Sequence, residues 1–144
     1  MKKYLIPALV LLVIISGLYY TRNPLKPKMV ISGETFYVDI ALTPQQIERG
    51  LSYRKSVGKN QGMLFVFRNR DIRPFWMFEM QFPLDFIWLD GTKIVGLSRN
   101  VPVLTRGAWT VINNQVPFDR VLEISSGTID RLNIATGDAV IYDN

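Results

Sequence analysis

The 144-residue chain contains no cysteine and no histidine. Without thiols there are no disulfides and no cysteine nucleophile. Without imidazole there is no serine–histidine triad, no histidine general base and no ordinary zinc site. A folded domain must therefore be held by its core alone. Any catalysis would rest on carboxylates, lysine, arginine, tyrosine or a hard metal ion. No metal site and no cofactor is expected. Acids are also missing from the first 28 residues, which hold Lys2, Lys3, Arg22, Lys26 and Lys28. The formal net charge of +5 belongs to that segment, because from Met29 onward there are 12 basic and 12 acidic residues. A basic chain of this size invites a nucleic-acid reading. The neutral count of its main part removes that support, and no nucleic-acid partner is expected.

What is present begins with an uncharged run, Tyr4 to Tyr20, preceded by two lysines. As a helix rising ~1.5 Å per residue it would span ~25 Å, just short of the ~30 Å hydrocarbon core. Tyr4 and Tyr19-Tyr20 suit the two interfaces, and Pro7 falls in the first turn, where it breaks little. A cleaved signal peptide has a shorter apolar core, ~7–15 residues, and small residues at its cleavage site. "ISGLYY" offers Ser16 and Gly17 but no A-x-A pattern, so length and flanks favour an uncleaved anchor. The expected organisation is an anchor or signal over 1–20, a linker over 21–28 and a strand-rich globular domain over 29–144. That domain would lie outside the cytoplasm, at the cell membrane or in the periplasm, and be secreted if the segment is cleaved.

The rest of the chain reads as short strands with one main helix. "MVISGETFYVDIAL" has two apolar runs about Gly33-Glu34, a hairpin signal. "TPQQIERGLSYR" carries Thr43 as N-cap, Pro44 at N1 and Gln46 at N3, a capping box. "GMLFVF" predicts a strand over 62–67 and "RNRDIRP" a charged turn. "FWMFEM" and "LDFIWLD" predict two more strands, and Asp90-Gly91 a hairpin turn into "TKIVGLSR". A long irregular stretch from Asn100 precedes the strand "RVLEISSG", the short helix "TIDRLNI" and a last strand in "GDAVIYDN". The expected class is α+β, mainly β: a small barrel or sandwich-like single domain with an N-terminal transmembrane helix.

"ERGLSYR", "GMLFVF", "FWM", "FPLDFIWLDG", "VLEI" and the closing Gly-Asp occur in the order and spacing of a known prokaryotic family. On these motifs residues 30–142 resemble the domain of unknown function 192 family. The resemblance implies a compact strand-rich domain, commonly behind an N-terminal signal or anchor, and no established activity. The chain departs from the family pattern twice. Phe78-Glu79-Met80 replaces a lysine–asparagine–threonine triplet, and Ser52 replaces a methionine.

The densest signal is "PFWMFEMQFPLDFIWLDG", residues 74–91, with six of the 17 aromatic residues. Two strands apolar on both faces ask for cover on both sides. One reading is a core strand pair under the helix and the long loop. The other is a surface that binds an apolar small ligand or a protein partner, with Trp76, Glu79 and Trp88 among its residues. Asp85 is the most informative acid, since a carboxylate among apolar neighbours needs a cation or several backbone donors. Arg54 and Arg99 are its candidate partners in a buried pair. The functional alternative makes Asp85 the acid of a hydrolase or transferase, working with Arg54 or Arg99. The sequence favours a binding or accessory domain over an enzyme.

Overall fold

The computed structural model describes residues 10–14, 26–104 and 110–143. Of the expected anchor only residues 10–14 are among them, helical and with exposed apolar side chains. The remainder of the 1–20 segment, and the linker before Lys26, lie outside the described residues. Among the described residues no helix is long and apolar enough to cross a membrane.

From Lys28 the chain is mainly β. Strand β1 (Lys28–Ile31) turns at Ser32-Gly33 into β2 (Glu34–Ala41), so the hairpin lies one residue from its expected place. Helix α1 (Pro44–Arg49) follows. Thr43 Oγ1 accepts the Gln46 N–H and the Gln46 side chain accepts the Thr43 N–H, a capping box of the kind worth about 1 kcal/mol. The helix is shorter than "TPQQIERGLSYR" suggested, because Gly50 takes φ +48° and ends it. Strand β3 (Gln61–Asp71) runs through residues read as a charged turn, with a register shift between Val66 and Asp71. Strands β4 (Phe75–Trp76), β5 (Leu84–Asp90), β6 (Lys93–Val101), β7 (Val111–Ile112) and β8 (Phe118–Ser125) follow. Helix α2 (Thr128–Arg131) and β9 (Val140–Asp143) complete the order.

Among the described residues seven strands form one sheet, in the order β6-β5-β8-β3-β2-β1-β9. Pairing is antiparallel except between β2 and β3, which α1 and its following loop join as a parallel crossover. The sheet curls into a half-barrel whose edges meet at one end. There Ile94 N–H donates to Asp138 O at 2.9 Å, and Lys93 bridges Ala139. These contacts pair part of an edge that would otherwise expose unpaired backbone groups.

The curl gives the sheet two cores. On the inner face pack Phe36, Leu64, Ile87, Leu89, Leu122 and Ile124, closed by Ile129 and Ile134 from α2 and its turn. On the outer face Phe65, Leu84, Phe86, Trp88, Phe118 and Val121 pack under Leu51, Phe75, Met77 and Ile112. This explains the doubly apolar "LDFIWLD": β5 sits between β6 and β8 and buries both faces. "FWMFEM" is different. Only Phe75 and Trp76 are extended, paired with β7 in a two-stranded ribbon over the outer core. Glu79 then turns the chain with φ +51°, so the expected strand pair is one strand and one covering segment.

Candidate functional site

The outer core is incompletely covered. The turn after α1, Gly50–Arg54, and the segment 75–80 form two walls joined at their base. Ser52 Oγ donates to Phe78 O at 2.8 Å, and Tyr53 N–H donates to Glu79 O at 3.0 Å. The two positions at which the chain departs from its family pattern thus touch here. Tyr53 and Glu79, bonded to each other, both have positive φ, +65° and +51°. Such conformations are costly for non-glycine residues and concentrate at binding and active sites.

Between the walls lies an open cleft of about 450 Å³, lined by Gln45, Glu48, Arg49, Ser52, Tyr53, Trp76 and Phe78. Two of its aromatic side chains are well exposed, Tyr53 at 60% and Trp76 at 44%. A second hollow of about 300 Å³ shares Glu48, Arg49, Ser52 and Trp76 with it and reaches the outer core at Phe65, Phe75 and Met80. A third, about 360 Å³, lies on the other side of the Gly50–Arg54 turn and is more polar. It contains Asp39, whose carboxylate meets Arg54 Nη1 and Lys26 Nζ, each at 2.8 Å. Burial would raise the Asp39 carboxyl, but these two cations hold it below its usual range.

The buried acid in the second hollow is Glu123, on β8 between Met63 of β3 and Phe86 of β5. Its side chain is 5% exposed. Among the described residues no group donates a hydrogen bond to it, and Arg54 acts on it only through space. Burial pushes the carboxyl up to about 8, with the Arg54 guanidinium opposing. Gly50 closes over it: a Cβ there would lie 3.2 Å from the Phe65 ring and 3.9 Å from Glu123 Oε2. Gly50 is thus fixed by its left-handed φ and by this close approach. The sequence contained the signal for Glu123, a carboxylate inside "RVLEIS", the same signal that drew attention to Asp85.

Asp85 is fully buried, but not beside an arginine. Its Oδ1 accepts the Asn100 N–H at 2.7 Å and its Oδ2 accepts the Ile129 N–H at 2.8 Å. The expected pair with Arg54 or Arg99 is therefore corrected. Arg54 is bound to Asp39, and Arg99 to Asp130 at 3.0 Å and to the Ile134 carbonyl. The reason lies in α2. Its N-cap is Gly127, which has no side chain to cap the helix, and Asp85 supplies that oxygen from β5. Backbone donors then do for the carboxylate what a guanidinium was expected to do. Around it Asn100 bonds Asp130 and Ser126, tying the end of β6 to α2.

The six residues picked from the sequence thus separate into three places. Trp76 and Arg54 line the clefts, and Glu79 joins them only through its backbone carbonyl, bonded to Tyr53. Asp85 and Arg99 belong to the network at α2. Trp88 is fully buried in the outer core, its Nε1 donating to Ser98 Oγ at 3.1 Å.

The model of the DUF192 family, described as Uncharacterized ACR, matches residues 28–142. The chain belongs to this family. The match spans β1 to β9, so it includes both walls of the cleft, Glu123 and the Asp85 network. Two solved structures share the fold, at about three-tenths sequence identity. One, from Sinorhizobium meliloti 1021, is provisionally named a transcription regulator; it is 31% identical over 81% of this chain and 90% of its own, with a TM-score of 0.70. The other, a protein of unknown function from Novosphingobium aromaticivorans DSM 12444, is 29% identical over 80% and 81% of the two chains, also with a TM-score of 0.70. No curated protein matches the chain.

Proposed function

We propose that this domain is a binding or accessory module, tethered outside the cytoplasm by the apolar run 4–20, and that the cleft between the α1 turn and residues 75–79 receives an apolar small ligand. One observation carries the reading: Tyr53 and Trp76 are held exposed along an apolar cleft whose walls are clamped together by hydrogen bonds. Leaving large aromatic surface in water has a hydrophobic cost that a bound ligand would recover. The volume, about 450 Å³, suits a small molecule, for which pockets of about 300–1,000 Å³ are usual.

The name given to the Sinorhizobium meliloti protein suggests nucleic-acid binding, but the equal count of basic and acidic residues from Met29 argues against it here. A hydrolase or transferase centred on Asp85 lacks support in the geometry, because both carboxylate oxygens are occupied by backbone donors.

The test is a titration of the isotope-labelled full-length chain in lipid nanodiscs with 2-phenylethanol, a neutral aryl-alkyl probe, against empty nanodiscs. Shift changes should cluster at residues 49–53 and 76–79 and vanish in Trp76→Ala. Changes spread evenly over the domain, or unaltered by Trp76→Ala, would refute the cleft as the site. The tether is checked by fractionation. The chain should pellet with membranes and resist carbonate, whereas mature protein starting near residue 20 would contradict an uncleaved anchor.

A further inference from the structure

We infer that Glu123 is the polar anchor of this site and that the ligand it selects carries a cationic nitrogen, an ammonium or amidinium head, on an apolar body lying along Trp76. The inference rests on the cleft reading and adds the chemistry of the ligand's head group.

Three observations lead to it. First, Glu123 is more than nine-tenths buried yet lines the hollow that shares Trp76 with the cleft. Among the described residues no donor satisfies it, which buried carboxyls ordinarily require. Second, the hollow around it is walled by Phe65, Phe67, Phe75 and Trp76, and aromatic rings beside a carboxylate are a usual setting for organic cations. One ring already shows this: the Arg73 guanidinium carbon sits 4.5 Å from the Phe67 centroid. Third, the cations nearby are largely committed. Arg54 is bound to Asp39, and Arg73 donates to Asn69 and to the Phe118 carbonyl. Of the other charged groups lining the hollow, Glu48 favours a cation and Arg49 opposes it from the exposed end of α1. The strand neighbours Met63 and Phe86 carry no charge.

The proton balance follows. At neutral pH Glu123 holds its proton, since its carboxyl is raised to about 8. A cationic head donating to the carboxyl oxygens requires the anion, so the proton leaves to solvent as the ligand enters. Binding should therefore release about one proton at pH 7, and affinity should rise about tenfold per pH unit up to about 8 before flattening. A neutral ligand of the same shape would show neither effect.

The experiment compares phenethylammonium, 2-phenylethanol and phenylacetate on the full-length chain in nanodiscs, by calorimetry in phosphate and in Tris and by NMR titration. Phenethylammonium should bind most tightly, with proton release that differs from zero only for this probe. Glu123→Gln should weaken it at least about tenfold at pH 8.5 and abolish its preference over 2-phenylethanol. Trp76→Ala should weaken all the probes that bind. The inference is overturned if the amine binds no better than the alcohol, if no proton is released, or if Glu123→Gln binds the amine like the wild type. If none of the three binds the wild-type chain, the cleft reading fails and the inference with it. Proton release is measured on the wild-type chain, so the result does not depend on the variant folding.

Discussion

Two carboxyl groups occupy neighbouring strands of one sheet, Asp85 on β5 and Glu123 on β8, and water reaches almost none of either. Asp85 faces the inner core near α2, and each of its oxygens takes a backbone N–H. Glu123 faces the outer core beneath Gly50, where the walls are aromatic and no described group donates to it. Burial is similar, 0% exposed at Asp85 and 5% at Glu123, and bonding is opposite. A buried acid whose oxygens are filled is part of the scaffold, joining strand to helix. A buried acid left without donors beside a cleft destabilises the empty protein unless it stays protonated, and is available to a ligand.

The largest effect expected from breaking this contrast is at Asp85. Asp85→Ala leaves the Asn100 and Ile129 N–H groups without their acceptor, and hydrogen bonds to a charged group are worth about 1.5–3 kcal/mol each. Chemical denaturation should show a loss of about 3–5 kcal/mol, a large share of the ~5–15 kcal/mol that holds a domain together. Asp85→Asn should be nearly as damaging. Both native oxygens accept, and an amide would turn its NH₂ group toward one of the two N–H donors. A melt within a degree or two of wild type for either variant would remove Asp85 from the scaffold.

At Glu123 the expected effect has the other sign and depends on pH. The native carboxyl keeps its proton to about 8 and the unfolded one only to about 4.5. Unfolding between these values releases a proton, so the native state loses stability as pH rises through the window, by up to about 1.4 kcal/mol per unit. Glu123→Gln removes this slope. It should match wild type near pH 5 and exceed it at pH 9 in denaturant titrations, and equal curves at both pH values would contradict the account.

The smallest effect is at Arg54, which bears on Glu123 from a distance while holding Asp39. Arg54→Ala breaks a half-exposed ion pair and should cost only about 0.2–1 kcal/mol. It should nonetheless move the Glu123 titration further upward, since the guanidinium is the opposing influence there. A downward movement in an NMR titration would show that the through-space assignment is wrong.

Much of the scaffold was legible in the sequence because its signals are local. The capping box at Thr43 and Gln46, the turn at Gly91 and the apolar run of β5 each depend on a few adjacent residues. Asp138 also closes its own turn, accepting the Ala135 N–H. The failures are non-local. Apolar content alone made residues 75–80 look like a strand, while the left-handed Glu79 that ends it is held by Tyr53, 26 residues earlier. The charges of "RNRD" suggested a turn, yet they sit on a strand that has run beyond the core. Asp85 was correctly read as needing partners, but which backbone donors reach it depends on how β6 and α2 arrive. Glu123 is not legible inside an ordinary strand, because nothing in "RVLEIS" tells which side of the sheet lacks donors.

The account turns on the state of Glu123, and the most direct measurement is a ¹³C NMR pH titration of glutamate carboxyl carbons in the full-length chain. The Glu123 resonance is identified by its loss in Glu123→Gln. The account predicts a midpoint at about 8 without ligand, moved downward when phenethylammonium is added. A midpoint at the ordinary value near 4.5 would contradict it, since Glu123 would then be solvated or bonded and the contrast with Asp85 would disappear.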